Sequence, residues 1–224
     1  MILTLFIKKI AAAFYQPVIA GKIHRTSFYK WNGIQLRIPP GVFHPKYFFS
    51  TKLLLRYVLQ LDLQDKKFLE LGAGNGLISI AAAKRGAIVT SSDVSKRAIK
   101  SLHENAQKND VQIRIVESDL FDTLEGKFDI IAINPPYYPK TPRNEFEAAW
   151  YCGEHFEYFE KLFMQLNEFT EPGALVLMVL SEDCKLDVFQ TIAQKYNFIF
   201  REALRKRIMW EWNYIFQIQK IETK

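Results

Sequence analysis

A short apolar run followed by three closely spaced glycines constrains the fold of this chain more than any other feature. Residues 68–71 are apolar except for Glu70. They are followed by Gly72, Gly74 and Gly76, and residues 77–84 then favour a helix. This order predicts a buried strand, a tight turn and a helix, the opening unit of a doubly wound α/β sheet. Glycine suits the turn because it tolerates positive φ and lets a ligand approach the backbone.

The spacing of the glycines leaves the identity of a ligand open. The pattern G-x-G-x-G, preceded by Glu70, differs from the dinucleotide fingerprint G-x-G-x-x-G. The next apolar run, residues 87–89, precedes Asp93, which stands where a ribose-binding carboxylate would follow a second strand. Together these features favour a nucleoside-bearing cofactor, and a purely structural turn is the alternative.

A second motif follows another buried apolar run. Phe128–Ile133 leads directly into Asn134, Pro135, Pro136 and Tyr137. The two prolines end the strand and stiffen the turn, because neither supplies a backbone N–H. A side-chain amide, bare carbonyls and an aromatic ring are therefore expected at the carboxyl edge of the sheet, where open α/β sheets bind ligands. The alternative is a rigid turn without a chemical role.

The two motifs together resemble the class I S-adenosylmethionine-dependent methyltransferases, specifically those that carry an Asn-Pro-Pro-Tyr signature and methylate planar nitrogens. The resemblance runs from about Pro40 to the end of the chain. It implies a Rossmann-like, seven-stranded α/β sheet, mostly parallel with a C-terminal antiparallel hairpin. It also implies an N-methyltransferase that uses S-adenosyl-L-methionine and no metal.

The resemblance assigns two groups of site residues. The residues expected to act on the substrate are Asn134, Pro135, Pro136 and Tyr137. Those expected to bind the cofactor are Glu70, Gly72, Ala73, Gly74, Gly76, Asp93, Val94, Asp119 and Leu120. In this scheme Asp93 accepts hydrogen bonds from the ribose hydroxyls. Asp119 accepts one from the adenine amino group, and its alternative is an ordinary turn aspartate.

Two substrate classes compete within this resemblance. The Asn-Pro-Pro-Tyr signature occurs both in HemK-like glutamine methyltransferases and in rRNA guanine and tRNA adenine methyltransferases. Residues 40–43, Pro-Gly-Val-Phe, resemble the segment that lies against the cofactor pocket in the rRNA guanine N2-methyltransferases. That segment and the net charge of +6 slightly favour an exocyclic base amine of rRNA or tRNA. The alternative is a glutamine amide in a protein such as a release factor.

Two further classes of function compete with a methyltransferase. An NAD-dependent oxidoreductase would carry the glycine spacing G-x-G-x-x-G, which this chain lacks. That class of function also leaves the Asn-Pro-Pro-Tyr motif unexplained. A non-catalytic nucleotide-binding module would be favoured if Asn134 or the glycines were missing, and they are present. Cys152 and Cys184 have no metal-ligand spacing, and free thiols fit a reducing compartment, so we expect a cytoplasmic protein.

The first 45 residues are expected to form an extension to a methyltransferase domain at residues 46–224. Residues 2–14 fit an amphipathic helix docked on that domain, with a membrane-surface or partner helix as the alternative. Lys8 and Lys9 interrupt it, so stable membrane insertion is not expected. Asn32-Gly33 between two strand-like runs predicts a β-hairpin. Its basic and aromatic residues could hold RNA, although a solvated surface is more common.

Several element boundaries are predicted in the remaining chain. Ser50-Thr51 is expected to cap a helix, and residues 111–116 to form the third strand of the sheet. The long loop at residues 141–153 is expected to cover or select the substrate. An aromatic stripe then predicts a helix closed by Pro172-Gly173, followed by a strand at residues 174–180.

Overall fold

The computed structural model describes residues 25–42, 44–46, 49–208 and 211–221. Within them the strands are β1 Ser27–Trp31, β2 Ile34–Ile38, β3 Lys67–Leu71, β4 Ile88–Asp93, β5 Arg114–Glu117, β6 Phe128–Ile133, β7 Thr170–Ser181, β8 Phe198–Ile208 and β9 Glu211–Lys220. The helices are α1 Phe49–Val58, α2 Leu77–Ala83, α3 Lys96–Lys108, α4 Glu145–Ala148, α5 Glu157–Leu166 and α6 Leu186–Lys195, and a 3-10 turn spans Asn167–Phe169. The amphipathic helix predicted for residues 2–14 lies outside the described residues.

Seven strands form the main sheet in the order β5-β4-β3-β6-β7-β9-β8. Strand β9 runs antiparallel to both of its neighbours, and the pairs from β5 to β7 are parallel. The predicted seven-stranded methyltransferase-like sheet is therefore confirmed. Because β3 pairs with β4 on one side and β6 on the other, the order reverses between β3 and β6, where doubly wound sheets bind ligands.

The central strands are buried on both faces. Leu69 and Ile131 point into a cluster that includes apolar residues of α5 and α6. Phe68 and Ile130 belong to a second cluster with residues of α1, α2 and β2. Burial on both faces explains why these strands read as continuous apolar runs in the sequence.

The β1–β2 hairpin forms a small sheet of its own that α3 holds in place. Asn32 and Gly33 both have positive φ, 42° and 81°, as the predicted turn requires. Asn105 Oδ1 accepts from Arg37 N at 2.8 Å, and Asn105 Nδ2 donates to Arg37 O at 3.1 Å. Asn109 makes the same pair of bonds to Gln35 N and O, at 2.9 and 2.8 Å. Side chains four apart on a helix thus match backbone groups two apart on a strand.

The predicted cap and third strand need correction. Helix α1 already begins at Phe49, so Ser50-Thr51 does not cap it. Strand β5 comprises only Arg114–Glu117, because β4 first pairs with it at Thr90. Val111 and Ile113 still pack against the core, although they lie outside the strand.

The prediction that Pro172-Gly173 closes the preceding helix is wrong, because both residues lie inside β7. Between the pairs Phe128↔Thr170 and Ile130↔Leu175, β7 contains more residues than β6. The extra residues of β7 therefore bulge out of the hydrogen-bonded ladder. Pro172 has no N–H to donate to the sheet and Gly173 has φ of 79°, which suits both residues to a bulge. Helix α5 ends earlier, at Leu166.

In the described part of the chain, no helix combines the length and the apolar character needed to cross a bilayer.

Candidate active site

The carboxyl ends of strands β3 to β6 open into one cavity of about 570 Å³, within the usual range for ligand sites. Twelve of the thirteen predicted site residues line it: Glu70, Gly72, Ala73, Gly74, Asp93, Val94, Asp119, Leu120, Asn134, Pro135, Pro136 and Tyr137. Gly76 is not among the lining residues. A Cβ on Gly76 would lie 2.5 Å from Leu102 Cδ2, so this glycine permits close packing at the start of α2.

The glycine turn leaves room for a ligand. Gly72 and Gly74 have φ of 73° and 57°. The backbone N–H groups of Gly72 and Ala73 both donate to Ser92 O at 2.9 Å, which ties the turn to β4. No atom lies within 4 Å of the position that a Cβ on Gly72 would take, so a side chain there would enter open space at the cavity wall. The turn therefore fits close approach of a ligand to the backbone.

Asp93 is held in place by two backbone donors. Gly74 N donates to Asp93 Oδ2 at 2.8 Å, and Ser95 N donates to Oδ1 at 2.9 Å. Burial raises the pKa of this carboxyl, and the two backbone hydrogen bonds oppose that rise. Each carboxylate oxygen has a second lone pair, so the anion can still accept hydrogen bonds from two neighbouring hydroxyls.

Glu70 is buried beneath the turn. Ser79 donates to Glu70 Oε2 through both its backbone N, at 2.7 Å, and its hydroxyl, and Ser91 Oγ donates to Ser79 Oγ at 2.6 Å. Burial raises the pKa of Glu70 to about 8, an effect that the Ser79 hydrogen bonds oppose. The carboxyl is therefore mostly protonated near neutral pH, and it ties β3 to α2 at the base of the cavity.

The far wall of the cavity carries an ion-pair network. Lys161 Nζ lies 2.7 Å from Asp119 Oδ2 and 2.6 Å from Asp122 Oδ2. The hydrogen bond from Lys161 lowers the pKa of Asp122. Lys161 and the half-buried Tyr158 both line the cavity, and neither was predicted for the site. Tyr158 lies off the apolar stripe of α5, which is the sequence signal that could have singled it out.

The Asn-Pro-Pro-Tyr turn places a polar group beside an aromatic one. Asn134 Nδ2 donates to Thr51 Oγ at 3.3 Å, so Oδ1 is the amide atom left to accept from a ligand. The Tyr137 and Tyr138 ring centroids are 4.7 Å apart. Burial raises the pKa of Tyr137, so its hydroxyl stays protonated. Thr51, predicted as a helix cap, is instead a neighbour of the site that the sequence did not reveal.

Residues of the loop at 141–153 line the cavity, and their role in covering or selecting the substrate stays a prediction. The loop contains α4, and Ser95 Oγ donates to Glu145 Oε2 at 3.0 Å. Its base is fixed where Tyr138 N donates to Trp150 O at 3.1 Å. Glu145 and Trp150 line the cavity, and so does Gly41 from the Pro-Gly-Val-Phe segment.

This arrangement, with a glycine turn, an acidic residue after the second strand and a polar turn at the switch point, defines an S-adenosylmethionine-dependent methyltransferase. Residues 33–150, more than half of the chain, match the family model of the methyltransferase small domain. The chain belongs to that family, and its reaction is an N-methylation.

A protein of Methanocaldococcus jannaschii, provisionally named a protein N5-glutamine methyltransferase, is 36% identical over 155 residues, which are 66% of this chain and 77% of that protein. The release factor glutamine methyltransferase of Streptococcus pneumoniae is 32% identical over 146 residues, 62% of this chain and 50% of that enzyme. The chain therefore spans most of the first relative and half of the second.

Among solved structures, the T. thermophilus 16S rRNA N2 G1207 methyltransferase in complex with AdoMet and guanosine superposes with a TM-score of 0.62. It is 20% identical, and the match covers 88% of this chain and 50% of that one. S-Adenosylmethionine is the cofactor that the family uses, and the open glycine turn and the Asp93 carboxylate fit it. Among the described residues, no group of three His, Cys, Asp or Glu side chains is placed to hold a metal ion.

Proposed function

We propose that the cavity binds S-adenosylmethionine along its wall from β3 to β5. The backbone at Gly72 and Gly74 faces the amino-acid end, Asp93 accepts from the ribose hydroxyls, and Asp119 accepts from the adenine amino group. Hydrogen bonds to an ionised carboxylate are among the stronger ones, which suits Asp93 to this role. The bound cofactor supplies a sulfonium methyl that is already activated for transfer. Catalysis then depends mainly on holding the acceptor nitrogen in line with it.

Asn134 and Pro135 would hold that nitrogen. The lone pair of an amide or an exocyclic amine is delocalised, so such a nitrogen is a weak nucleophile. If Asn134 Oδ1 and the Pro135 carbonyl accept its two N–H bonds, the nitrogen is oriented and its developing positive charge is stabilised. Tyr137 offers a ring face for stacking the planar group. The donation from Asn134 Nδ2 to Thr51 supports this orientation of the amide.

The acceptor we propose is the side-chain amide of a glutamine in a protein. The observation that carries this choice is the 36% identity to the M. jannaschii protein over most of that protein's length. The 32% identity to the S. pneumoniae release factor glutamine methyltransferase supports the same choice. This preference reverses the slight lean toward RNA in the sequence.

An exocyclic base amine of rRNA or tRNA is the second candidate. It is favoured by a cation beside the site, since the half-exposed Lys52 directly follows Thr51 on α1. A planar base amine also presents two N–H bonds to the same acceptors.

The test is transfer of labelled methyl from S-adenosylmethionine to a cell extract, followed by digestion with protease or ribonuclease. We expect protease-sensitive label that is recovered as N5-methylglutamine. Asn134→Ala should lose turnover but keep its affinity for S-adenosylmethionine, measured by calorimetry. Asn167→Ala, at an exposed position away from the cavity, is the matched control.

Two results would contradict the proposal in different ways. Label released only by ribonuclease would show that the methyl acceptor is the base amine and not the glutamine amide. Equal turnover in Asn134→Ala and the parent would remove Asn134 from the reaction, whichever fraction is labelled.

A further inference from the structure

The acidic residues of this chain are distributed unevenly. Residues 1–61 contain nine Lys and Arg and no Asp or Glu, whereas residues 62–224 contain 21 basic and 24 acidic residues. The net charge of +6 therefore comes entirely from the first quarter of the sequence. Such asymmetry is typical of chains that contact a polyanion.

Three of these cations lie just before α1 or on it: Lys46 precedes the helix, Lys52 is in its first turn and Arg56 is in its last turn. Lys46 and Arg56 are exposed and Lys52 is half-exposed. Lys52 and Arg56 are four residues apart on α1 and so share one face of the helix. Besides partial burial, the positive charges of Arg56 and Lys46 lower the pKa of Lys52. None of the three is ion-paired with a carboxylate in the described part of the chain. We call Lys46, Lys52 and Arg56 the cationic surface.

Aromatic rings lie within the cationic surface. Lys52 Nζ is 5.5 Å from the ring centroid of Phe49 and 6.0 Å from that of Tyr29. Both rings are half-buried, so an edge or face of each reaches solvent. Positive charges interleaved with aromatic rings are what single-stranded nucleic acids bind, through phosphate contacts and base stacking.

The cationic surface adjoins the substrate end of the cavity. Thr51, which accepts from Asn134 Nδ2 at 3.3 Å, immediately precedes Lys52. Arg56 stands one helical turn further along α1.

We infer that the cationic surface binds the phosphates of single-stranded RNA beside the active site. This inference goes beyond the proposed function and does not depend on which nitrogen is methylated, because a protein substrate bound to RNA would use the same surface. An acidic peptide would match the charge but leave the two rings without a role.

Binding of a fluorescein-labelled 20-nucleotide oligouridylate, followed by anisotropy at several NaCl concentrations, tests the inference. Replacing all three cations by Ala should weaken binding at least tenfold at low salt. It should also reduce the slope of log K against log [NaCl] by about 2, since each single-strand phosphate contact contributes about 0.7. The matched control replaces Lys100, Lys127 and Lys220, which are exposed elsewhere, by Ala. This control should bind nearly as the parent does.

Circular dichroism confirms the fold of each variant, and Arg56→Ala alone, at an exposed helical position, should still reduce the slope by about 0.7. Equal losses in the triple variant and its control would overturn the inference. So would binding to phosphatidylserine vesicles or polyglutamate but not to RNA. Methyl label in protein together with RNA binding at this surface would uphold both proposals. RNA binding with label in RNA would uphold this one alone.

Discussion

Replacing Thr51 by Val isolates the contact that orients Asn134. Valine has nearly the shape of threonine but cannot accept the hydrogen bond that Asn134 Nδ2 donates at 3.3 Å. Without it the amide can turn over and present an N–H donor, instead of Oδ1, to the N–H groups of the acceptor. A hydrogen bond of this kind contributes about 0.5–1.5 kcal/mol net. We therefore expect kcat to fall about twofold to tenfold.

The assay measures initial rates of methyl transfer at saturating S-adenosylmethionine, together with the Kd of the cofactor by calorimetry. Thr51→Ser keeps the hydroxyl and should retain the parental kcat. Thr191→Val, which removes an exposed helical hydroxyl that donates to Asp187 O at 2.9 Å, controls for the exchange itself. Parental turnover in Thr51→Val would refute the reasoning. So would equal losses in the Ser and Val variants, because then the hydroxyl is not what matters.

Three further predictions concern the cofactor end of the cavity. Gly72→Ala should abolish cofactor binding, because its Cβ enters the cavity, and should lower the free energy of unfolding by about 1–2 kcal/mol, because the backbone there is left-handed. Gly126→Ala is the control: with φ of 84° and open space around it, it should lose similar stability but leave cofactor binding intact. Asp93→Ala should weaken S-adenosylmethionine binding about a hundredfold, since two hydrogen bonds to a charged group are lost. Glu70→Gln should change how stability depends on pH. The folded pKa of Glu70, about 8, lies above its ordinary 4.5, so the parent should lose stability relative to the variant as pH rises between these values, by a few kcal/mol in total.

Calorimetry and urea denaturation check these three predictions. Unchanged affinity in Gly72→Ala or Asp93→Ala would remove that residue from the cofactor site. Parallel stability curves of the parent and Glu70→Gln from pH 4.5 to pH 8 would show that the carboxyl titrates normally in the folded protein.

The parts of the site that were predictable from sequence are those encoded locally. The glycine turn and the Asn-Pro-Pro-Tyr turn each follow a buried strand, and parallel strands bring their carboxyl ends to one edge. The sequence therefore predicts that Gly72, Asp93 and Asn134 lie together at one edge of the sheet, and all three line the cavity. Asn32-Gly33 predicted its hairpin for the same local reason.

What the sequence did not reveal depends on contacts between distant residues. Thr51 has the sequence signature of a helix cap, yet its hydroxyl contacts Asn134, 83 positions away. Lys161, on α5, reaches Asp119 in the turn after β5, and nothing in its neighbourhood along the chain marks it. Pro172-Gly173 predicts a helix end by local rules, but the bulge in β7 accommodates both residues inside a strand. In each case tertiary pairing overrode a correct local preference.

The paired amides of Asn105 and Asn109 make α3 behave toward β2 as a neighbouring strand would. Each amide matches one N–H and one C=O, so sliding the hairpin by a single position would turn these groups to the opposite edge of the strand and leave both amides without their partners. Because α3 starts three residues after Asp93, the hairpin is held at a fixed position relative to Asp93 in the cavity wall. A macromolecule bound at Tyr29 would therefore be held at a fixed distance and orientation relative to the methyl donor.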